Sequence, residues 1–238
     1  MEDKAFDIRP AERICTVNEY YFSRKLKEVA RMNAEGMDII SLAIGSPDMP
    51  PSDSTIQTLC QEAAKPTAHG YQPTIGTPEL RNAMAGFYKR WYGVELDAEK
   101  EILPLIGSKE GILHVTLAFV NPGDQVLVPN PGYPTYTSLS KILGAEVVPY
   151  ELSQENAWQP DLDALEQTDL SRVKIMWTNY PHMPTGARAM RKTYQALVDF
   201  ALRHNLIIVN DNPYSFILND GEKLSILQVP GAKECCIE

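Results

Sequence analysis

The order of apolar runs along the chain predicts an α/β fold: a three-layer, mainly parallel sheet with helices on both faces. Three observations carry this. From residue 102 onward, short β-rich runs alternate with helical patterns, the sequence signature of strands joined by crossover helices. Those runs are apolar throughout, as strands covered on both faces are. The 238 residues, 44% hydrophobic and 22% charged, supply enough apolar surface for a sizeable core.

Each element has its own signal. Residues 18–35 read as a helix with Phe22, Leu26, Val29 and Ala30 on one face and Gly36 as its stop. A short apolar run at 41–44 breaks into the proline-rich GSPDMPPS loop. A second helix is expected over 53–64. Thr77 is a plausible N-cap and Pro78 an N1 proline for a third, in which Ala83, Phe87 and Trp91 recur at helical spacing until Gly93. Strands are expected at 102–106, 125–128, 146–150, 173–178, 206–209 and 234–238, with helices at 108–120, near 134–143 and at 188–204. An N-terminal segment, 1–50, thus leads into one α/β domain, 51–238.

Composition removes several functions. Lys+Arg number 22 against 31 Asp+Glu, a net charge of −9, so the basic stripe of a nucleic-acid-binding surface is not expected. No apolar run approaches the roughly 18 residues of a membrane span, and MEDKAFDIRP lacks the apolar stretch of a secretory signal. A cytoplasmic location is the expectation. Cys15, Cys60, Cys235 and Cys236 match neither a disulfide ladder nor a zinc knuckle, and read as reduced thiols. His69, His114, His182 and His204 are equally scattered, so no metal site is expected.

Ligands of parallel sheets bind at the carboxyl ends of the strands. Four loops in such positions carry chemistry. Gly107-Ser108-Lys109-Glu110-Gly111 turns from a strand into a helix, where free N–H groups and the helix dipole favour a phosphate. The same residues serve equally as an ordinary serine-capped helix start, and neither a GxxxxGK[ST] nor a GxGxxG pattern is present. In Pro129-Asn130-Pro131-Gly132-Tyr133-Pro134, three prolines fix Tyr133, either to stack on a planar ligand ring or to pack on its neighbours. Residues 179–186, NYPHMPTG, follow the next strand. Asp211-Asn212-Pro213-Tyr214 follows LIIVN and puts a carboxylate where it needs a cation or hydrogen-bond donors. A pyridinium nitrogen is one such cation and an Asx turn is the alternative use, while Tyr214 is placed to donate to an oxygen of the same ring.

A phosphate cradle, a stacking aromatic, a carboxylate for a ring nitrogen and a phenol for a ring oxygen together describe a site for pyridoxal phosphate (PLP). The chain resembles the class I/II aminotransferases of the type I PLP-dependent fold. The resemblance is carried by IGSPD (44–48), YQPTIGTPELR (71–81), GSKEG (107–111), PNPGYP (129–134), YPHMPTG (180–186) and DNPY (211–214), six motifs in order. It implies an aminotransferase that moves an amino group from an amino acid to a 2-oxo acid. Residues 1–50 would then be an N-terminal arm and part of a small domain, and 51–238 an incomplete PLP-binding domain. Gly107, Ser108 and Lys109 would hold the phosphate, Tyr133 would stack on the ring, Asp211 would pair with its nitrogen and Tyr214 would bond its 3′-oxygen. Gly45 would lie near the substrate carboxylate. Tyr71 would reach the phosphate of a neighbouring subunit, which implies a homodimer. A carbon–sulfur lyase or decarboxylase of the same fold is the alternative enzyme. A cofactor-binding or interaction module without catalysis is the alternative outside enzymes.

Two departures from the family pattern stand out. Met183 occupies the position of an asparagine that bonds the 3′-oxygen in the family, and a thioether cannot donate. The adjacent His182 is a candidate substitute, or else an exposed loop residue, and Tyr214 would become the main partner. The family's Schiff-base lysine lies in a Ser-x-Ser-Lys motif just after the strand read here at 234–238, and neither Lys223 nor Lys233 lies in such a motif. The sequence as it stands is therefore expected to bind PLP weakly or not at all, to be inactive, and to leave 102–106 and 234–238 as unpaired sheet edges.

Overall fold

The structure is a computed structural model that describes residues 8–15, 17, 21–42, 45, 48–217 and 221–238. It divides into two compact units, one comprising Ile75–Glu238 with the described N-terminal residues up to 15, the other the described residues from Val17 to Thr74. Residue 50, where the sequence suggested a boundary, falls inside the second unit. That unit holds α1 (Tyr21–Ala34) and α2 (Asp53–Ala63), the latter capped by Ser52, whose hydroxyl accepts from the Thr55 N–H. No described residue of either helix is buried. The expected helix over 18–35 is present from Tyr21; residues 18–20, like the end of the 41–44 run, lie outside the described residues.

In the first unit a five-stranded sheet is formed by β1 (Gln125–Asn130), β2 (Glu146–Glu151), β3 (Val173–Asn179), β4 (Ile207–Asp211) and β5 (Cys236–Ile237). Its order is β2-β1-β3-β4-β5 and every pairing is parallel. The helices are α3 (Pro78–Tyr92), α4 (Ser108–Phe119), α5 (Pro134–Ile142), α6 (Leu162–Glu166), α7 (Arg191–His204) and the short α8 (Ala232–Cys235). Side chains alternate across each strand, and the central strands are apolar on both faces where helices cover them. Leu127, Met176 and Ile208 face one way into a core with Leu197, Val198 and Phe200 of α7. Val126, Ile175, Trp177 and Val209 face the other way, onto Ile112 of α4 and Tyr136 of α5. Helices therefore cover both faces, as the sequence predicts. A fully buried side chain of Leu or Phe size contributes about 1.5–3 kcal/mol.

Local signals explain the ends. Thr77 accepts from the Leu80 N–H at 3.3 Å, Pro78 opens α3, and Gly93 closes it in the left-handed conformation at φ 68°. Two expected strands differ. Residues 102–106 form no strand: Pro104 lacks an N–H, no described strand pairs with the segment, and Ile106 is fully exposed. The strand expected at 234–238 shrinks to Cys236–Ile237, because Gly231, left-handed at φ 81°, starts a helical turn that runs through Cys235. The start of α7 is also later than expected, since Met190 is still extended.

Candidate active site

The chain runs from β1 out to β2 and returns across β1 to β3, so the direction of winding reverses between β1 and β3. A crevice outside the carboxyl ends of the strands opens at such a point. The loops that leave β1, β3 and β4 are the PNPGYP, NYPHMPTG and DNPY segments, and α4 starts at GSKEG.

Asp211 is the last residue of β4 and only partly buried. Its Oδ2 accepts a 2.8 Å hydrogen bond from the Tyr136 hydroxyl, and no described residue donates to Oδ1. Burial pushes its carboxyl above the ordinary carboxylate range, partly opposed by the bond from Tyr136. The site thus holds a carboxylate with one oxygen served and a standing electrostatic need for a donor or cation at the other. Tyr214, three residues on, is half-buried, and its phenol is pushed up by burial first, then by the Asp211 charge and by Tyr133. Asp211 and Tyr133 therefore both lie close to Tyr214.

Tyr133 immediately precedes α5, which opens on Pro134. Gly132 makes the turn possible: a Cβ there would meet the Pro129 carbonyl oxygen at 2.4 Å. The Tyr133 ring sits edge-on to Tyr136, with centroids 5.5 Å apart, and the Lys109 ammonium lies 5.9 Å from its centroid. That contact joins the start of α4 to the same cluster. Gly107 is the N-cap of α4 and has no side chain to accept from the first-turn amides, so Ser108 is the first helical residue and does not cap. Glu110 instead reaches back to the Ile106 N–H at 2.7 Å.

Tyr136 is the member that sequence reading missed. It is buried, stacks on Trp177 at 4.9 Å with the rings 6° from parallel, and orients Asp211. A signal existed: Tyr133 and Tyr136 straddle an N1 proline at a spacing of three, which places them on one side of the first turn. Asn179, the first residue of the NYPHMPTG loop, is engaged at both ends of its amide. Its Nδ2 donates to the Asp211 carbonyl at 2.6 Å, and its Oδ1 accepts from the Met183 N–H at 2.8 Å, tying the NYPHMPTG loop to the end of β4.

His182 corrects one expectation. It is buried, not a surface loop residue, and both ring nitrogens are engaged within the chain. Nε2 donates to the Pro131 carbonyl at 3.1 Å, so the 2.8 Å contact at Nδ1 is one in which the Thr185 hydroxyl donates. Burial holds the imidazole below its ordinary range, in keeping with this neutral form. No nitrogen is left for a ligand oxygen, and the ring instead clamps the NYPHMPTG loop onto the PNPGYP loop. Gly45 and Tyr71 belong to the other unit; both are exposed, Tyr71 at 96%.

Among the described residues, no group of His, Cys, Asp and Glu could hold a metal ion, and no helix is long and apolar enough to cross a membrane.

A site of this kind at the carboxyl ends of a parallel sheet fits a small planar, anionic ligand with a basic ring atom. The model of the aminotransferase class I and II family matches residues 37–234, and the chain belongs to that family. It is 45% identical over 229 residues to an LL-diaminopimelate aminotransferase of Dehalococcoides mccartyi, covering 96% of this chain and 59% of the relative. A second enzyme of that name, from Moorella thermoacetica, is 44% identical over 232 residues, covering 97% and 60%. Among solved structures, apo-BacF from Bacillus subtilis superposes with a TM-score of 0.89 at 36% identity over 97% of this chain and 59% of the other. A probable N-succinyldiaminopimelate aminotransferase from Thermus thermophilus gives 0.83 at 32% identity over 90% and 58%. The chain thus spans about three-fifths of the length of these relatives.

Proposed function

We propose that this chain forms the cofactor-holding part of a PLP-dependent aminotransferase that acts between an amino acid and a 2-oxo acid. The single observation that carries the reading is Asp211: a partly buried carboxylate with an unserved Oδ1, beside a half-exposed tyrosine face and a phenol. The residues fit PLP by charge and by shape. The first turn of α4 at Gly107, Ser108 and Lys109 would take its phosphate, Tyr133 its ring face, Asp211 its protonated nitrogen and Tyr214 its ring oxygen. When bound, PLP supplies an electron sink for the carbanion that forms at the amino acid's α-carbon. The chain's own part is to keep that sink strong. The Asp211 charge, held by Tyr136, would favour a proton on the ring nitrogen, and that pyridinium would in turn lower the carboxyl back toward its ordinary range.

With both nitrogens of His182 and both polar groups of Asn179 engaged internally, Tyr214 is the ring-oxygen donor that takes over where Met183 cannot. The exposed Tyr71 suits a reach to a second subunit's phosphate, so a homodimer with shared sites belongs to this reading, with Gly45 near the substrate carboxylate. A cytoplasmic location belongs to it as well. The substrate class is inferred from relatives named for LL-diaminopimelate: an amino acid carrying a second charged end. Those names lend no weight to a carbon–sulfur lyase or a decarboxylase.

The test is a PLP titration of the purified chain, followed by absorbance and by quenching of tryptophan fluorescence. Saturable binding that D211N weakens by at least tenfold supports the reading. Absence of saturable binding, or equal binding by D211N, refutes it. The substrate class is checked by adding LL-diaminopimelate to the PLP-loaded chain and following the cofactor's absorbance, with a monocarboxylic amino acid as the comparison.

A further inference from the structure

Glu238 sits beside the end of β4 with its carboxylate surrounded by donors. Its Oε1 accepts from Asn210 Nδ2 at 2.8 Å and from Asn212 Nδ2 at 3.0 Å. The same oxygen lies 3.4 Å from the Ile226 N–H, and Oε2 accepts from the Ser225 hydroxyl and, at 3.5 Å, from Tyr88. The two asparagines are the chain neighbours of Asp211. Alternation along a strand sends residues 210 and 212 to one side and 211 to the other. One oxygen therefore grips the strand end on both sides of Asp211 and from behind it.

The grip extends in two directions. Asn212 Oδ1 accepts from the Ser215 hydroxyl, which fixes the turn that carries Tyr214. Asn210 Oδ1 accepts from Thr178 at 3.0 Å, one residue before Asn179, whose side chain in turn holds the Asp211 carbonyl.

We infer that Glu238 is a positioning residue for the site: its carboxylate, by pairing with Asn210 and Asn212, sets the direction of the Asp211 carboxylate and the place of Tyr214. This rests on the proposed PLP site for its purpose but not for its geometry. The titratable groups that lie near Glu238 are Tyr88, Tyr92, Tyr194 and Cys236. Burial raises the Glu238 carboxyl above its ordinary range while Ser225, Asn210, Asn212 and the Ile226 N–H pull it back down. A part-buried acceptor surrounded by donors fits a role in holding them in place.

The experiment uses the full chain with 13C-labelled aspartate carboxyls, the Asp211 signal being assigned with D211N. The carboxyl titration is followed without ligand, and PLP affinity is measured alongside. E238A removes the grip: the Asp211 midpoint falls toward that of an ordinary aspartate, and PLP affinity drops at least tenfold. E238Q keeps an oxygen for both asparagines and holds the Asp211 midpoint and the affinity near wild type, within about threefold. L165A, in the core under α7, lowers the melting temperature and leaves both readouts in place, which separates positioning from loss of stability. An Asp211 titration unmoved in E238A, or moved as far in L165A, overturns the inference. If the wild-type chain takes up no PLP, the functional proposal fails while the ligand-free titration still decides the role of Glu238.

Discussion

Replacing Asp211 with asparagine is expected to stabilise the ligand-free chain and to weaken its response to PLP, a pair of effects with opposite signs. The carboxyl is raised by burial in the folded state, whereas in the unfolded chain it titrates near the ordinary value of about 3.9. Between those two points the native state keeps a proton that the unfolded state has lost, so stability falls as pH rises through that window and stays reduced above it. An amide carries no such penalty. Desolvating a fully buried ion costs several kcal/mol, but Asp211 is only partly buried. The bond from Tyr136 at 2.8 Å returns about 1.5–3 kcal/mol when its acceptor is charged. A net gain of about 1–2 kcal/mol for D211N at neutral pH is left, or about 2–8 °C in melting temperature for a chain of this size. The difference should vanish below the ordinary carboxylate range, where both residues are neutral. Saturating PLP offsets the difference: at a hundred times its Kd a ligand stabilises the wild type by about 2.7 kcal/mol, and a variant bound tenfold more weakly gains only about 1.4 kcal/mol. Melting curves from pH about 3.5 to about 8.5, with and without PLP, read all of this. A variant that is no more stable than wild type at neutral pH refutes the electrostatic argument, and one that PLP protects equally refutes the role of the carboxylate.

Y136F removes the one described donor to the Asp211 side chain. It should cost about 1.5–3 kcal/mol at neutral pH and less once Asp211 is protonated, measured by urea unfolding at both pH values. Y133A should leave melting within about 1 kcal/mol of wild type, because the ring is only half-buried, yet weaken PLP binding, read by fluorescence titration. G132A should destabilise by about 1–3 kcal/mol, since its Cβ would press on the Pro129 carbonyl, and calorimetry will register the loss.

Much of the molecule was legible because its signals are local. Thr77, Pro78 and Gly93 mark both ends of α3 through backbone chemistry that operates within a few residues. Mainly apolar runs identify β1, β3 and β4 because both faces of the sheet are covered. Asp211, Tyr133 and Tyr214 were readable as candidates because each follows a strand or sits in a stiff turn. The 102–106 run was misread for a physical reason. β-propensity describes a residue's fit to a pleated surface, and that segment has no described neighbour to pair with.

What sequence by itself determined is the class of fold, the placing of the candidate loops at the strand ends, and the residue types proposed for a phosphate, a ring and a ring nitrogen. Tertiary structure decided which of them are available. His182 is spent on Pro131 and Thr185, Asn179 on Asp211 and Met183, and Tyr136, which no motif singled out, is the donor that orients the carboxylate. The reason is distance along the chain. Tyr136 and Asp211 are 75 residues apart and Glu238 and Asn210 are 28 apart, and a hydrogen bond between such partners exists only once the fold has brought their elements together.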